Sequence, residues 1–182
     1  MTDRTTGDRT TGARVTDGRV TGARVTDATA VARIVPAQVA DIQQALDDHA
    51  RYWGERDLRA LHLLPLVHEF GRTCLVARSD DGVLGYLIGF VTPGGTGYVH
   101  LVATRDDARG AGLGRALYEA FAEAAGRQGA VRLKAITTVG NEGSLAFHRS
   151  LGFDVRVAED YNGPGRPRVV FTRPLAGFTA GH

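Results

Sequence analysis

The chain has 182 residues, of which 43% are hydrophobic and 23% charged, as in an ordinary globular protein with one sizeable core. Its net charge of only +2 excludes strong non-specific nucleic-acid binding, and no apolar run approaches the roughly 18 residues of a membrane span. The lone Cys74 excludes an intramolecular disulfide. Because the N-terminus has no apolar signal-peptide core, we expect a cytoplasmic location.

The first 30 residues repeat a short unit, seen as TTGDR, TTGAR, VTDGR and VTGAR. The repeat fits neither helix nor strand periodicity and offers little apolar surface to bury. We therefore predict a low-complexity, disordered tail over 1–30. The folded domain is expected over 31–176, followed by a short tail over 177–182.

The first part of the domain predicts one strand and two helices. VARIV (31–35) is typical of a strand, and apolar residues at helical spacing predict a helix over about 39–50. A second helix is expected over about 58–70, with Pro65 as a kink or break. The segment YWGER links the two helices.

The rest of the domain alternates strands with two further helices. TCLVAR and VLGYLIGFV predict a hairpin across the turn SDDG. The later strands are expected at 98–104, 130–137, 153–157 and 168–174, and the later helices at 113–127 and 141–152. This element order implies an α/β (α+β) fold with a mixed central sheet of about six to seven strands and helices on both faces.

The turn RGAGLG (109–114) joins a predicted strand to a helix, a place where backbone N–H groups often bind phosphate. A P-loop would continue with Lys and Ser or Thr, whereas Arg115 follows here. A dinucleotide fingerprint would need a third glycine that is absent. Two interpretations remain open: a backbone cradle for a diphosphate, or a glycine-rich turn that only packs a helix on a strand.

A second motif, NEGSLAFHRSLGF (141–153), lies about thirty residues beyond this turn. Together the two motifs resemble those of the GNAT superfamily of N-acetyltransferases. That family carries Arg/Gln-x-x-Gly-x-Gly/Ala after a strand, and Asn, Ser, Phe and Gly-Phe at the spacing of the second motif. The matching residues are Arg109, Gly112, Gly114, Asn141, Ser144, Phe147, Gly152 and Phe153.

The resemblance implies the GNAT (acyl-CoA N-acyltransferase) fold and acetyl-CoA as the acyl donor, with no metal. In that fold strand 98–104 splays from strand 130–137, and the pantetheine arm lies in the gap. The implied cofactor contacts in the gap and second motif are Val102, Ala103, Thr104, Asn141, Ser144 and Phe147. The implied pyrophosphate contacts are Arg109, Gly110, Ala111, Gly112, Leu113, Gly114 and Arg115.

His148 takes the position where GNAT enzymes often carry a tyrosine that protonates the departing thiolate. Because imidazole can also donate a proton near neutral pH, we hypothesise that His148 assists thiolate departure. A structural hydrogen bond or a cofactor contact is the alternative for this side chain.

Strand alternation suggests the candidate base. Residues 98, 100, 102 and 104 are expected on one face, so Tyr98 and His100 would continue the cofactor arm toward the acceptor. These two positions resemble slots that hold histidines in another acetyltransferase of the family. We predict His100 as a general base, direct or through water, against the alternative of a histidine satisfied within the sheet.

The acceptor side is expected between two connecting segments. The resemblance implicates Trp53 and Arg56 of the first, and Asp160 and Tyr161 of the loop EDYNGPGRPR. An aromatic ring beside a carboxylate is a plausible ammonium seat. The loop could equally be a hairpin rich in turn formers.

The function predicted from these features is an N-acetyltransferase acting by direct transfer from acetyl-CoA to a primary amine in a ternary complex. The acceptor is a small amine or a peptide or protein amine, with no nucleic-acid or membrane partner, and the resemblance allows a homodimer. The alternative is a non-catalytic acyl-CoA-binding or regulatory module that keeps the cofactor site.

Overall fold

The computed structural model describes residues 24–25 and 32–176, which form one mixed sheet flanked by helices. The sheet has eight strands: β1 (Arg24–Val25), β2 (Ala32–Pro36), β3 (Leu75–Ser79), β4 (Gly82–Val91), β5 (Thr96–Thr104), β6 (Arg132–Thr137), β7 (Asp154–Ala158) and β8 (Arg168–Pro174). Their order across the sheet is β1-β2-β3-β4-β5-β6-β8-β7. Seven of them lie within the predicted domain, as the element order indicates.

Five α-helices and two 3₁₀ turns are described, and they differ from the prediction mainly before β3. The helices are α1 (Val39–Asp47), α2 (His49–Trp53), α3 (Leu64–Glu69), α4 (Leu113–Arg127) and α5 (Glu142–Ser150). The expected helix over 58–70 is a 3₁₀ turn, Arg59–Leu61, followed by α3. Pro65 starts α3 instead of kinking a longer helix, because a first-turn proline loses no helical hydrogen bond.

The predicted tails over 1–30 and 177–182 lie outside the described residues apart from Arg24–Val25, which pair antiparallel with Arg33 and Ala32. No described helix is long and apolar enough to cross a membrane; α4, the longest, has 15 residues.

Two apolar clusters cover the two faces of the sheet. One face packs against α4 and α5, where Leu117 and Phe121 are fully buried. The other packs against α1, α2 and α3, where Ile42 and Tyr86 are fully buried. Each fully buried side chain of this size stabilises the fold by about 1.5–3 kcal/mol. The strands between these layers are therefore held in fixed register, and they position the candidate site.

Candidate active site

β5 and β6 form the only parallel pair in the described sheet, and they separate partway along their length. Pairing begins with Thr96 opposite Arg132 and ends with Val99 opposite Ala135. Beyond this point each strand continues without the other. A gap therefore opens between them, as the family resemblance implies, and its apex lies at Val99 and Ala135.

β5 carries a β-bulge at this apex. Ile88 of β4 pairs with Leu101, but the next residue, Gly89, pairs with Val99. His100 is thus the extra residue of the bulge. A bulge at the end of strand pairing aims its side chain away from the regular ladder, and this one places His100 where the gap begins.

The bulge reverses the alternation of side chains along β5. Tyr98 packs against Phe90 on the face of α1 to α3, with ring centroids 5.4 Å apart. Val102 packs on the opposite face, under α4, where Thr104 also lies beside Gly114. The prediction that residues 98, 100, 102 and 104 share one face is therefore wrong, because one inserted residue exchanges the two faces.

The glycine-rich turn before α4 has two left-handed residues, Gly110 with φ of 82° and Gly112 with φ of 76°. A Cβ added at either position would meet nothing within 4 Å. Positive φ, and not crowding, therefore favours glycine here. Within residues 32–176 no backbone carbonyl accepts from the N–H groups of 110–115, so these donors are available to an anion at the start of α4.

Glycine is favoured at position 114 by close packing, not by a positive φ as at Gly110 and Gly112. A Cβ at this position would lie 3.2 Å from the ring of Phe147 in α5. The glycine therefore lets the two motifs that define the resemblance pack closely against each other. Ala111 is exposed beside it, while Leu113 is buried in the core beneath α4.

Two arginines fasten the turn to neighbouring helices. Arg109 donates from Nη2 to the carbonyl oxygen of Tyr52 at 3.0 Å, which joins the turn to α2. Arg115 donates from Nη2 to the carbonyl oxygen of Ser150 at 2.9 Å, at the end of α5. Both side chains are exposed, and their predicted contact with a pyrophosphate stays a prediction.

The N-terminus of α5 is capped by the side chain of Asn141. Asn141 accepts a hydrogen bond from the backbone N–H of Ser144 at 3.2 Å, and its amide donates to the Thr137 hydroxyl at 2.9 Å. These contacts explain the Asn and Ser of the second motif as a helix cap. The predicted contact of Asn141 and Ser144 with the cofactor stays a prediction.

His148 is buried, and both of its ring nitrogens have partners. Nδ1 lies 2.8 Å from the carbonyl oxygen of Ser144, and Nε2 lies 2.7 Å from the hydroxyl of Tyr118. Because a carbonyl only accepts, Nδ1 carries the proton and Nε2 accepts from Tyr118. The ring also stacks on Phe171 at 3.9 Å, and burial lowers the pKa of His148 to about 4.

This arrangement supports a structural role for His148. The side chain is neutral at pH 7, and its Nε2 is an acceptor in a buried contact. The proton-donor role of His148 stays a prediction. It can be tested by comparing variants of His148 and of its partner Tyr118. Tyr118 is not among the predicted site residues. Its spacing along α4 identifies it only as a core residue.

His100 has one ring nitrogen engaged. Nε2 lies 2.8 Å from the carbonyl oxygen of Leu61, in the 3₁₀ turn that follows α2. Since that carbonyl can only accept, Nε2 carries the proton, and Nδ1 is the basic nitrogen of the neutral ring. The contact fixes both the tautomer and the ring orientation, as a positioned base requires.

Trp53 and Arg56, predicted on the acceptor side, are held near the end of α2. The Trp53 indole donates to the hydroxyl of Tyr86 at 2.8 Å, and His62 also contacts that hydroxyl. Arg56 is exposed and lies over the Trp53 ring at 5.8 Å. Together these contacts tie the loop between α2 and α3 to the sheet. Burial lowers the pKa of His62 and raises that of Tyr86, so both groups are neutral at pH 7.

Asp160 and Tyr161, both predicted on the acceptor side, each make a contact within the protein, and their predicted part in binding an ammonium stays a prediction. Asp160 accepts from the backbone N–H of Gly165 at 2.8 Å, which closes the loop. The Tyr161 ring already lies beneath the ammonium of Lys134, at 4.7 Å. One face of this ring is therefore covered by a cation of the protein itself, because Lys134 lies on the nearby β6.

A cavity of about 510 Å³ lies on the sheet face that carries Tyr98. Aromatic and basic side chains dominate its lining, so we call it the aromatic–basic groove. Its aromatic members are Phe90, Tyr98 and Tyr161, and its basic members are Arg132, Lys134 and Arg156. Burial raises the pKa of Tyr98 to about 12, so its hydroxyl stays protonated.

The basic members of the groove were missed by the sequence reasoning. The signal that could have found them is the alternation of Arg132 and Lys134 along the strand AVRLKAIT. A larger cavity of about 700 Å³, between the start of α1 and the end of α3, contains none of the predicted site residues. Among the described residues, no cluster of three or more His, Cys, Asp or Glu could hold a metal ion.

Comparison with known proteins identifies related sequences and folds. The model of the acetyltransferase (GNAT) family matches residues 39–153. L-methionine sulfoximine/L-methionine sulfone acetyltransferases of Pseudomonas aeruginosa and Pseudomonas paraeruginosa are each 45% identical over 56 residues, or 31% of this chain. The match covers 33% of each relative, so the chain spans about a third of the length of these curated relatives.

Solved structures share the fold at low sequence identity. Ard1 from Thermoplasma volcanium is 18% identical with a TM-score of 0.64, over 79% of this chain and 97% of Ard1. The yncA protein of Salmonella typhimurium, solved with its cofactor acetyl-CoA, is 22% identical with a TM-score of 0.61, over 83% of this chain and 98% of yncA. Because the family model spans more than half of the sequence and the fold agrees, this chain belongs to the GNAT family of acetyltransferases.

Proposed function

We propose that the chain is an N-acetyltransferase that transfers the acetyl group of acetyl-CoA directly to a primary amine in a ternary complex. The observation that carries the proposal is the apex at Val99 and Ala135. The gap that starts there leads toward the glycine-rich turn, and the aromatic–basic groove lies at its side. A donor and an acceptor could therefore meet at one point of the sheet.

The donor side has the chemistry that acetyl-CoA requires. Backbone N–H groups of 110–115 and the positive end of α4 suit a pyrophosphate. The unpaired length of β5 suits the amide groups of a pantetheine arm, because it lacks a neighbouring strand on that side. When bound, acetyl-CoA supplies the thioester that is attacked.

His100 and Tyr98 are the residues proposed to act on the acceptor. Nδ1 of His100 takes a proton from the amine, directly or through water, because a protonated amine cannot attack. The Tyr98 hydroxyl, still protonated at pH 7, offers a hydrogen bond to the negative charge that develops as the C–S bond breaks.

Direct transfer is favoured because the chain's single cysteine is unsuited to carry an acetyl group. Cys74 is fully buried, and its Sγ lies 3.5 Å from the carbonyl oxygens of Leu66 and Gly89. Burial raises the pKa of this thiol. A neutral, inaccessible thiol is a poor nucleophile, so we propose no acyl-enzyme step.

A small amine is the proposed first class of acceptor, and a peptide or protein amine the second. The Pseudomonas relatives are named for acetylation of amino-acid derivatives, which agrees with a small acceptor. The test is release of free CoA thiol from acetyl-CoA over mixed amine and peptide panels. Turnover with at least one amine is expected, and thiol release independent of every amine would contradict the proposal.

A non-catalytic acyl-CoA-binding module is the second candidate, favoured by the buried, neutral His148 in the position that often holds a tyrosine. Acetyl-CoA binding by calorimetry without thiol release across the panels would favour this candidate. Two variants resolve the role of His148. If it donates the proton, turnover at saturating substrates falls in His148→Phe but not in Tyr118→Phe; a structural role predicts lower thermal stability in both with similar turnover.

A further inference from the structure

We propose that the acceptor amine carries a carboxylate on the neighbouring carbon, as an α-amino acid does, and that Lys134 recognises this carboxylate in the aromatic–basic groove. The inference rests on the proposed function, because it names the acceptor class of the same reaction. It differs from the expected ammonium seat at Tyr161, since it assigns the groove to a negative charge.

One rung of the sheet forms the floor of the groove. Phe90 of β4 pairs with Tyr98 of β5, Tyr98 with Lys134 of β6, and Lys134 with Thr172 of β8. Paired residues on adjacent strands project to the same face. The Lys134 ammonium and the Tyr98 ring are therefore neighbours on this face.

This floor lies one residue from the apex of the gap. Tyr98 opposite Lys134 is the pair immediately before Val99 opposite Ala135, where β5 and β6 part. One residue of strand spans about 3.3 Å. An acceptor anchored on this rung thus presents an atom a few ångströms away at the apex, a spacing that suits amine and carboxylate groups on one carbon.

The groove has a surplus of positive charge. None of the three cations, Arg132, Lys134 and Arg156, has an ion-pair partner within residues 32–176. Arg51 and Arg78, by contrast, each pair with aspartates. Arg132 donates from Nε to the Thr96 hydroxyl at 2.8 Å, which is a neutral partner.

One carboxylate lies on the same rung as this floor, at its outer edge. Asp154 pairs with Thr172 on the far side from Lys134, and it is exposed. It forms no ion pair with the groove cations within the described residues. The positive charge of the groove is therefore left to be balanced by a ligand.

Lys134 is held ready for such a ligand. Its side chain is half-buried, and its ammonium lies over the Tyr161 ring at 4.7 Å. The Asp160 contact with Gly165 fixes the loop that carries this ring. A cation in this position repels a second ammonium. The acceptor is therefore oriented with its carboxylate toward Lys134 and its amine toward the apex and His100.

The test compares three amines that differ in one group: L-methionine sulfone, its carboxamide, and the decarboxylated amine. We measure kcat/KM by thiol release with saturating acetyl-CoA on the full chain. The free acid is expected to be roughly 10- to 100-fold better than either neutral analogue, the range typical of a lost hydrogen bond to a charged group. Neutral analogues or N-terminal peptides that match or exceed the acid would overturn the inference while leaving the acetyltransferase function standing.

Variants at Lys134 give a second measurement. Lys134→Gln is expected to raise KM for the acid by a similar factor, and to change KM for the carboxamide much less. Lys134→Arg keeps the charge and should retain most of the preference. An equal loss for acid and carboxamide would contradict recognition of the carboxylate.

Binding separates this inference from failure of the reaction itself. If no amine is acetylated, the proposed function fails, and the same three compounds are tested for thermal stabilisation of the chain with CoA present. Stabilisation by the acid alone, lost in Lys134→Gln, supports the carboxylate site. Absence of any preference for the acid overturns it.

Discussion

The two sides of the gap between β5 and β6 are built from different parts of the chain. The proposed donor side is a turn of backbone N–H groups shaped by Gly110 and Gly112, and its arginine side chains are engaged with neighbouring helices. The proposed acceptor side is a groove of side chains such as Tyr98 and Lys134. A backbone cradle can bind a diphosphate without depending on particular side chains, whereas the side chains of a groove determine which acceptor fits. Acceptor specificity is therefore expected to reside in the groove.

Substitution of His100, which lies where the two proposed sides meet, should reduce activity the most. His100→Gln can still donate a hydrogen bond toward the Leu61 carbonyl but has no basic nitrogen. We expect kcat/KM near neutral pH to fall roughly 10²- to 10⁴-fold, with loss of the acidic limb of the pH–rate profile. The measurement is thiol release across pH 5–10. An acidic limb that persists in His100→Gln and His100→Ala would show that the base lies elsewhere.

The donor side is tested by breaking its backbone conformation. Gly112→Val places a β-branched residue at φ of 76°, which costs about 1–3 kcal/mol and deforms the cradle. We expect KM for acetyl-CoA to rise at least about tenfold. Gly129→Val is the matched control, since Gly129 has φ of 83° and equally open space but follows the far end of α4. Equal KM values for the two variants would count against the cradle.

A third prediction concerns the core beneath the gap. Burial lowers the pKa of His148 from its ordinary 6.5 to about 4, so below pH 6.5 the unfolded chain binds a proton that the folded chain does not. The free energy of unfolding should therefore decrease from pH 6.5 to 4, by about 3 kcal/mol from this residue. Denaturant unfolding at several pH values measures it.

The control for this pH dependence is His148→Phe, which should show a flatter profile over the same range. His62, whose pKa burial also lowers, leaves a contribution of the same sign in both proteins. Identical slopes for wild type and variant would mean that the pKa of His148 is the same in the folded and unfolded chains, which would contradict the expected effect of burial.

The smallest expected effect is at Arg56, which sequence resemblance placed with the acceptor. Its exposed guanidinium stacks on Trp53, an interaction of about 0.5–1 kcal/mol. Arg56→Gln should change KM for the acceptor less than about threefold, while Lys134→Gln changes it much more. A reversed ranking in parallel assays would move acceptor recognition from the groove to the α2 segment.

The conformation of the glycine-rich turn could be predicted from the sequence because local rules govern it. Positive φ favours glycine, and helix starts expose N–H groups, so RGAGLG has few interpretations once NEGSLAFHRSLGF is found beside it. The strands and α4 were likewise predicted close to their observed bounds. Their apolar periodicity follows directly from facing two buried layers.

The acceptor side could not be read in the same way because it depends on tertiary contacts. The bulge at His100 exchanges the faces of the sheet to which the following side chains of β5 point. The alternation of side chains in a sequence does not indicate where a bulge occurs. The Tyr118 partner of His148 lies thirty residues away, so no spacing rule connects them. Lys134 contacts Tyr161 only because folding brings β6 beside the loop between β7 and β8.

The short contact between β5 and β6 also affects how the whole sheet resists opening. It has four residue pairs, whereas β4 with β5 has seven and β6 with β8 has six. In the free chain this seam should open before the two longer ladders beside it, giving faster amide exchange in β6 than in β4. The proposed donor, bound along the gap, would act as an additional strand across the seam. At 100 times its dissociation constant it would add about 2.7 kcal/mol to the free energy of unfolding.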